Sequence, residues 1–87
     1  MVAVTFLTSE GCTPCLRVKR ILEELRSQIP DLNVEDIDFS SSVGSKLAID
    51  AGVLYPPAVF VEKRLIAKGR IDADSLRATI KDAEPTR

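Results

Sequence analysis

The residues best suited to chemistry in this 87-residue chain are its only two cysteines, Cys12 and Cys15, separated by Thr13 and Pro14. They close the stretch VTFLTSEGCTPC (Val4 to Cys15), in which an apolar run ends in a Thr-Ser-Glu-Gly loop and a helical pattern begins. Cys12 therefore falls at the tip of a strand-to-helix turn, and Cys15 in the first helical turn. The first amides of a helix have no internal acceptors, and with the helix dipole they favour negative charge at the N-cap. A thiolate supplies that charge. Free cysteine titrates near pH ~8.5, and helix N-termini and Cys-x-x-Cys pairs lower this to about 3.5–7.5. Pro14 suits the second helical position, where its missing N–H is no loss and its fixed φ favours the start. Cys12 is the expected nucleophile, and the more buried Cys15 the resolving thiol. Glu10, a carboxylate two residues away, opposes the thiolate slightly.

Three other uses of two cysteines stay open on the residues alone. Both could be core residues, since free cysteine packs as a small hydrophobe; that leaves the loop, the proline and the helix start unexplained. A zinc site needs about four ligands, and with no histidine in the chain carboxylates or a second copy would have to complete it. A permanent bridge is the third, although short secreted proteins that rely on bridges generally carry more than one.

The positioning elements can be read in order. Val2 to Leu7 form a near-continuous apolar run, as for a central strand covered on both faces. From Thr13 to Ile29, Val18, Ile21, Leu22, Leu25 and Ile29 make one buried helical stripe. The opposite face carries Arg17, Lys19 and Arg20, a solvated face that could also steady a thiolate or meet an acidic partner. Pro30-Asp31 ends the helix. Leu32, Val34 and Ile37 mark a second, less buried strand. Ser40 to Ser42 offer N-caps for a helix from about Val43 to Ala51, with Val43, Leu47 and Ala51 along one face and Gly52 at its left-handed end.

Tyr55-Pro56-Pro57 then runs straight into the β-rich Ala58 to Val61, where proline cannot donate to a ladder. A cis X–Pro bond, with a sharp turn at the strand's start, removes that conflict. A partner strand, Leu65-Ile66-Ala67, follows a tight turn near Glu62-Lys63-Arg64 that lacks the usual Asn-Gly or Asp-Gly. Gly69 ends the hairpin. Asp72 reads as the N-cap of a last helix with Leu76, Ile80 and Ala83 buried, and Glu84 to Arg87 are expected to fray. The order is β-α-β-α-β-β-α, a four-stranded mixed sheet flanked by three helices in one domain spanning 1–87.

Composition narrows the function. A 45% hydrophobic content is enough for a core, and a net charge of −1 with both signs interspersed gives no reason to expect nucleic acid. No stretch approaches the ~20 apolar residues of a membrane span, and the N-terminus lacks a signal-peptide pattern. A cytoplasmic protein is expected, and in a reducing compartment a Cys-x-x-Cys is more often catalytic than structural.

Three features together resemble the thioredoxin superfamily, in the compact form of glutaredoxins and small thioredoxin-like proteins. Cys12-Thr13-Pro14-Cys15 follows a strand, with Pro14 where thioredoxin's Cys-Gly-Pro-Cys has its proline. Ala51-Gly52-Val53-Leu54-Tyr55-Pro56-Pro57 is similar to the stretch that carries the superfamily's cis-proline, which would be Pro57. Lys68-Gly69-Arg70-Ile71 stands where the family has a glycine beside the active site. The resemblance implies a thioredoxin-like fold and a thiol–disulfide oxidoreductase in which Cys12 and Cys15 react. Thr13, Pro14 and Pro57 would support the pair, and Gly11, Tyr55, Pro56 and Gly69 would contact substrate. Disulfide-containing protein substrates and a dedicated reductase would be its partners. Exchange of this kind needs no bound metal or organic cofactor, and a monomer suffices.

Departures from the family refine that expectation. Gly11 replaces thioredoxin's Trp before the first cysteine, and Phe6 its buried Asp, leaving Cys15 without an evident general base. Both bring the chain closer to glutaredoxin. Against glutathione stand Glu10, near the position of a customary basic residue, and Pro56, which lacks the backbone N–H that pairs with the tripeptide. The loss of that hydrogen bond costs about 0.5–1.5 kcal/mol. The family's Gly-Gly and acidic pair appears only as Gly69-Arg70-Ile71-Asp72. Glutathione specificity is expected to be weak or absent. Two other functions remain: a thioredoxin-fold module that senses redox state without turnover, and a glutathione-dependent glutaredoxin.

Overall fold

A computed structural model describes residues 2–83, to which every structural statement here applies. Its elements run β1 (Val2–Thr8), α1 (Thr13–Gln28), β2 (Leu32–Asp38), α2 (Ser42–Ala51), β3 (Ala58–Val61), β4 (Arg64–Lys68) and α3 (Ala73–Ala83). The expected order holds throughout. The sheet order is β2-β1-β3-β4. β1 runs parallel to β2 and antiparallel to β3, and β3 and β4 form an antiparallel hairpin. The apolar β1 is thus interior to the sheet, and the acid-rich β2, with Glu35, Asp36 and Asp38, is an edge. Charged side chains on an edge discourage pairing with another chain.

The alternation of β1 divides the core between the two faces of the sheet. Val2, Val4 and Phe6 join Val18, Ile21, Leu22 and Leu25 of α1 and Leu76 and Ile80 of α3 in one apolar cluster. Leu7 joins Ala48, Val53, Ala58 and Phe60 in a second, beside α2. The second face is covered only in part, because Ala3 is exposed and Thr5 half-buried. The expectation that β1 is covered on both faces therefore applies to its C-terminal end, where the ten-residue α2 reaches.

Ser41 caps α2 by accepting the Gly44 N–H at 3.0 Å, and Gly52 ends it in the left-handed region. The apolar face read from its spacing is buried only in part. Gly44 and Ala48 are the buried residues, Leu47 and Ala51 are half-buried, and Val43 is exposed. The helix comes so close to the end of β2 that a Cβ on Gly44 would overlap the Asp38 carbonyl oxygen. Close approach rather than apolar bulk decides the packing face. In the β3–β4 turn, Val61 pairs with Arg64, and Glu62 and Lys63 both take positive φ (50° and 70°). That is the backbone of a two-residue type I′ loop, built without glycine. The Glu62 carboxylate accepts the Ala3 N–H at 2.8 Å, which holds the turn against β1.

At the C-terminal end, α3 begins after Asp72, whose carboxylate accepts the Ser75 N–H at 2.9 Å. Leu76 and Ile80 are buried as expected, whereas the expectations for the Ala83 side chain and for Glu84 to Arg87 lie outside the described residues. No helix among the described residues is long and apolar enough to cross a membrane.

The Gly44 contact predicts a sign. Alanine in a helix interior is ordinarily favoured over glycine by about 1 kcal/mol, but here the added methyl meets backbone. Gly44→Ala is expected to lower stability by about 1–3 kcal/mol, the usual range for overpacking. A denaturation midpoint raised by this substitution would show that α2 does not rest on the end of β2.

Candidate active site

The site is built where β1 passes into α1. Gly11 takes a positive φ of 78°, and Cys12 follows in extended conformation as the N-cap of α1. The cap acceptor is the sulfur: Cys12 Sγ accepts the Cys15 N–H at 3.2 Å. The Cys12 N–H donates to the Ser9 carbonyl at 3.2 Å, which closes the loop beneath it. Pro14 lies in the first helical turn, and no acidic residue occupies that turn. A helix start that presents its amides and dipole with no carboxylate among them favours negative charge on its cap.

Cys12 and Cys15 are joined by a disulfide, with Cα atoms 5.2 Å apart. Their surroundings differ. Cys12 is half-buried, whereas Cys15 is only 2% exposed and belongs with Val18, Phe6 and Ile71 to the larger apolar cluster. Phe6 itself is fully buried, and no polar or charged side chain among the described residues is buried in the core. The described residues also hold no group of three or more His, Cys, Asp or Glu arranged to take a metal ion.

A cavity of about 510 Å³ opens beside Thr13 and Pro14, which separate the two cysteines; neither cysteine lines it. Thr13 and Pro14 form one side, Tyr55, Pro56 and Pro57 another, and Gly69 a third. Six of the nine residues singled out in the sequence are therefore brought together, with the cysteines flanking Thr13 and Pro14. Gly11 does not line the cavity. It is exposed, and its left-handed conformation sets the turn before Cys12. The Pro56–Pro57 peptide bond is cis and the Pro57 side chain is fully buried. The Pro57 carbonyl accepts the Gly69 N–H at 2.8 Å, joining two walls of the cavity. Gly69 has a φ of 66°, and a Cβ there would stand 3.4 Å from the Tyr55 ring. Glycine thus permits both the backbone turn and the close seat of the tyrosine.

Four further residues line the cavity that the sequence does not single out as site residues: Arg17, Val18, Arg70 and Ile71. Arg17 and Val18 lie three and four positions after Pro14, the spacing that puts helical side chains on one face. That spacing is the available signal. Taken locally, Arg17 belongs to a solvated helix face, and only the approach of the Gly69–Ile71 segment makes it part of a cavity wall. A second sizeable cavity, lined by Val61, Glu62, Arg64, Ile66, Thr79 and Asp82, lies at the other end of the sheet, by the β3–β4 turn.

Residues 4–66, more than half of the chain, match the glutaredoxin family. No curated protein matches the sequence. Among solved structures, a mutant thioredoxin from Halobacterium salinarum NRC-1 is similar, with a TM-score of 0.76 and 23% identity over 99% of this chain and 77% of that one. Thioredoxin O2 from Arabidopsis thaliana in its oxidised state gives a TM-score of 0.76 at 19% identity, covering 98% of this chain and 76% of that one. The oxidised mitochondrial thioredoxin 3 from Saccharomyces cerevisiae gives 0.73 at 25% identity, over 93% and 77% respectively. The fold is thioredoxin-like, as expected.

Asp72, next in sequence to the lining residue Ile71, links stability to pH. Its bond with the Ser75 N–H, aided by the nearby Arg17 charge, holds its pKa below the ordinary 3.8. A depressed carboxylate contributes stability above its unfolded pKa and loses it as pH falls through the folded one. Asp72→Ala is expected to be less stable than the parent at neutral pH, by an amount constant down to about pH 4. Below that the two denaturation curves should converge. A difference that persists unchanged at pH 2 would show that the carboxylate charge is not what holds the helix start.

Proposed function

Because the chain belongs to the glutaredoxin family, we propose that it is a thiol–disulfide oxidoreductase that reduces protein disulfides through Cys12 and Cys15, acting as one domain in the cytoplasm. The observation that supports this most is the Cys12 sulfur capping α1 while its partner Cys15 lies buried behind it. In the reduced protein the same amide and helix dipole favour Cys12 as a thiolate at neutral pH. That sulfur attacks one sulfur of a substrate disulfide. A Cys12–substrate disulfide forms, the substrate's S–S bond breaks, and the first substrate thiolate leaves with the electron pair. Cys15 then loses its proton to solvent and attacks Cys12 Sγ, which forms the Cys12–Cys15 disulfide and expels the second substrate thiolate. Two electrons have passed from the dithiol to the substrate. An external dithiol or a dedicated reductase restores the pair.

In this reading Thr13, Pro14 and Pro57, which share the cavity wall, support the step, and Tyr55, Pro56 and Gly69 offer the surface on which substrate backbone docks. Gly11 contributes the turn that presents Cys12.

Reduction of insulin disulfides driven by dithiothreitol tests the roles. Cys12→Ser is expected to abolish the catalysed rate, and Cys15→Ser to accumulate a mixed disulfide that gel electrophoresis under non-reducing conditions resolves. Thiolate absorbance against pH should place the Cys12 transition near 7 or below. A transition near 8.5 with no catalysed reduction would support a redox-sensing module instead.

Family membership favours a second reading, glutathione-dependent turnover. Pro56 opposes it, because the residue before Pro57 then has no N–H to offer a docked tripeptide. We expect little turnover of a glutathione mixed disulfide. A rate matching that of a glutaredoxin assayed beside it would reverse this assignment.

A further inference from the structure

The cavity beside Thr13 and Pro14 carries charge of one sign. Arg17 and Arg70 line it, and no acidic residue does. Arg70 also borders an adjoining cavity of about 180 Å³, on the other side of Tyr55, together with Lys68. That cavity has no acidic lining residue either. Three cations therefore line the two cavities that Tyr55 borders, in a chain whose net charge is −1, so the positive charge here is local. Among the described residues, Arg17 and Arg70 form no ion pair, whereas Lys19, Lys46 and Arg77 each have a carboxylate partner. Lys68 reaches only the Gly52 carbonyl, at 3.5 Å.

The carboxylates nearby are few. Asp72 is close enough to feel Arg17 and shares a third cavity with Arg70, but its oxygen is taken by the Ser75 N–H. Glu10 is exposed on the loop before Gly11 and lines neither cavity. The α1 N-terminus adds positive potential on the same side, undiluted by any acid in its first turn. Apolar surface completes the groove: Tyr55 is 63% and Leu54 87% exposed.

Resting on the oxidoreductase reading above, we propose that this groove docks polypeptide substrates whose disulfide cysteine is flanked by Asp or Glu. Arg17 and Arg70 receive those carboxylates while Tyr55 lies against the adjoining apolar residue. Such rim charges act mainly on association and are screened by salt.

The test uses the full chain with dithiothreitol as the regenerating dithiol. The substrates are two synthetic disulfide-bonded peptides that differ only in Glu or Lys beside the cysteine. At low ionic strength the ratio of kcat/KM values is expected to favour the Glu peptide by roughly three- to tenfold, and to fall toward one as salt is raised. In an Arg17→Gln/Arg70→Gln variant the ratio should approach one, and in Arg17→Glu/Arg70→Glu it should favour the Lys peptide. A ratio does not depend on how much of a variant is folded, so partial misfolding does not obscure it. Equal rates for the two peptides in the parent, or a Glu preference that both variants retain, would overturn this inference alone. Reduction of neither peptide would overturn the oxidoreductase reading and this one with it.

Discussion

One hydrogen bond organises the site: the Cys15 N–H pointing at the Cys12 sulfur across the first turn of α1. A helix start leaves several amides without partners, and most chains answer that need with the oxygen of Ser, Thr, Asp or Asn. Here a sulfur answers it. The group that caps the helix is then also the group that the proposed reaction uses as nucleophile, and the amide that satisfies the cap is the amide of the second cysteine. Fold and chemistry share one contact, so neither cysteine can be replaced without touching the start of α1.

The sheet explains why that helix starts where it does. β1 is interior, its Val2, Val4 and Phe6 packed on the apolar stripe of α1, and the short Ser9–Gly11 loop allows no slack between them. The same strand pairs with β3, whose register sets Ala58 against Leu7 and against Lys68 of β4. Pro57 and Gly69, each one residue beyond that row, are therefore delivered to the end of the sheet at which Cys12 sits. The cavity is a consequence of register. Its walls come from three parts of the chain that share only their place at one end of the strands, as the chemistry of open α/β sheets commonly does.

Where periodicity governs, the sequence was a reliable guide. The α1 stripe of Val18, Ile21, Leu22 and Leu25 is buried as its spacing implies, and Asp72 and Ser41 cap the helices that follow them. Legibility failed where backbone geometry outweighs side-chain character. Val43 has the apolar bulk expected of a core face, yet the face of α2 that meets the sheet is the one whose Gly44 lets helix backbone approach the Asp38 carbonyl. Glu62 and Lys63 hold a turn conformation that their residue types do not announce. Arg17 and Arg70 are fifty-three positions apart (70 − 17) and ordinary in isolation; their meeting in one cavity depends on tertiary contact, which no local pattern encodes.

The interior behind the pair shapes the proposed reaction as much as the groove in front of it. Phe6 shares the apolar cluster that encloses Cys15, and no buried polar side chain among the described residues stands ready to take a proton. Burial in apolar surroundings disfavours the ionised form of a thiol. Charge is therefore stabilised at one sulfur, through the helix start, and disfavoured at the other, through its packing. In the proposed reaction this asymmetry would order the two steps, with Cys12 attacking the incoming disulfide and Cys15 acting only after Cys12 has been joined to substrate. Once that mixed disulfide exists, Cys15 needs only to reach a sulfur three residues away, and proximity substitutes for the missing base. A thiol held one helical turn from its target has an effective concentration far above any solvent thiol. Resolution within the chain is thus favoured over attack by a second molecule from outside.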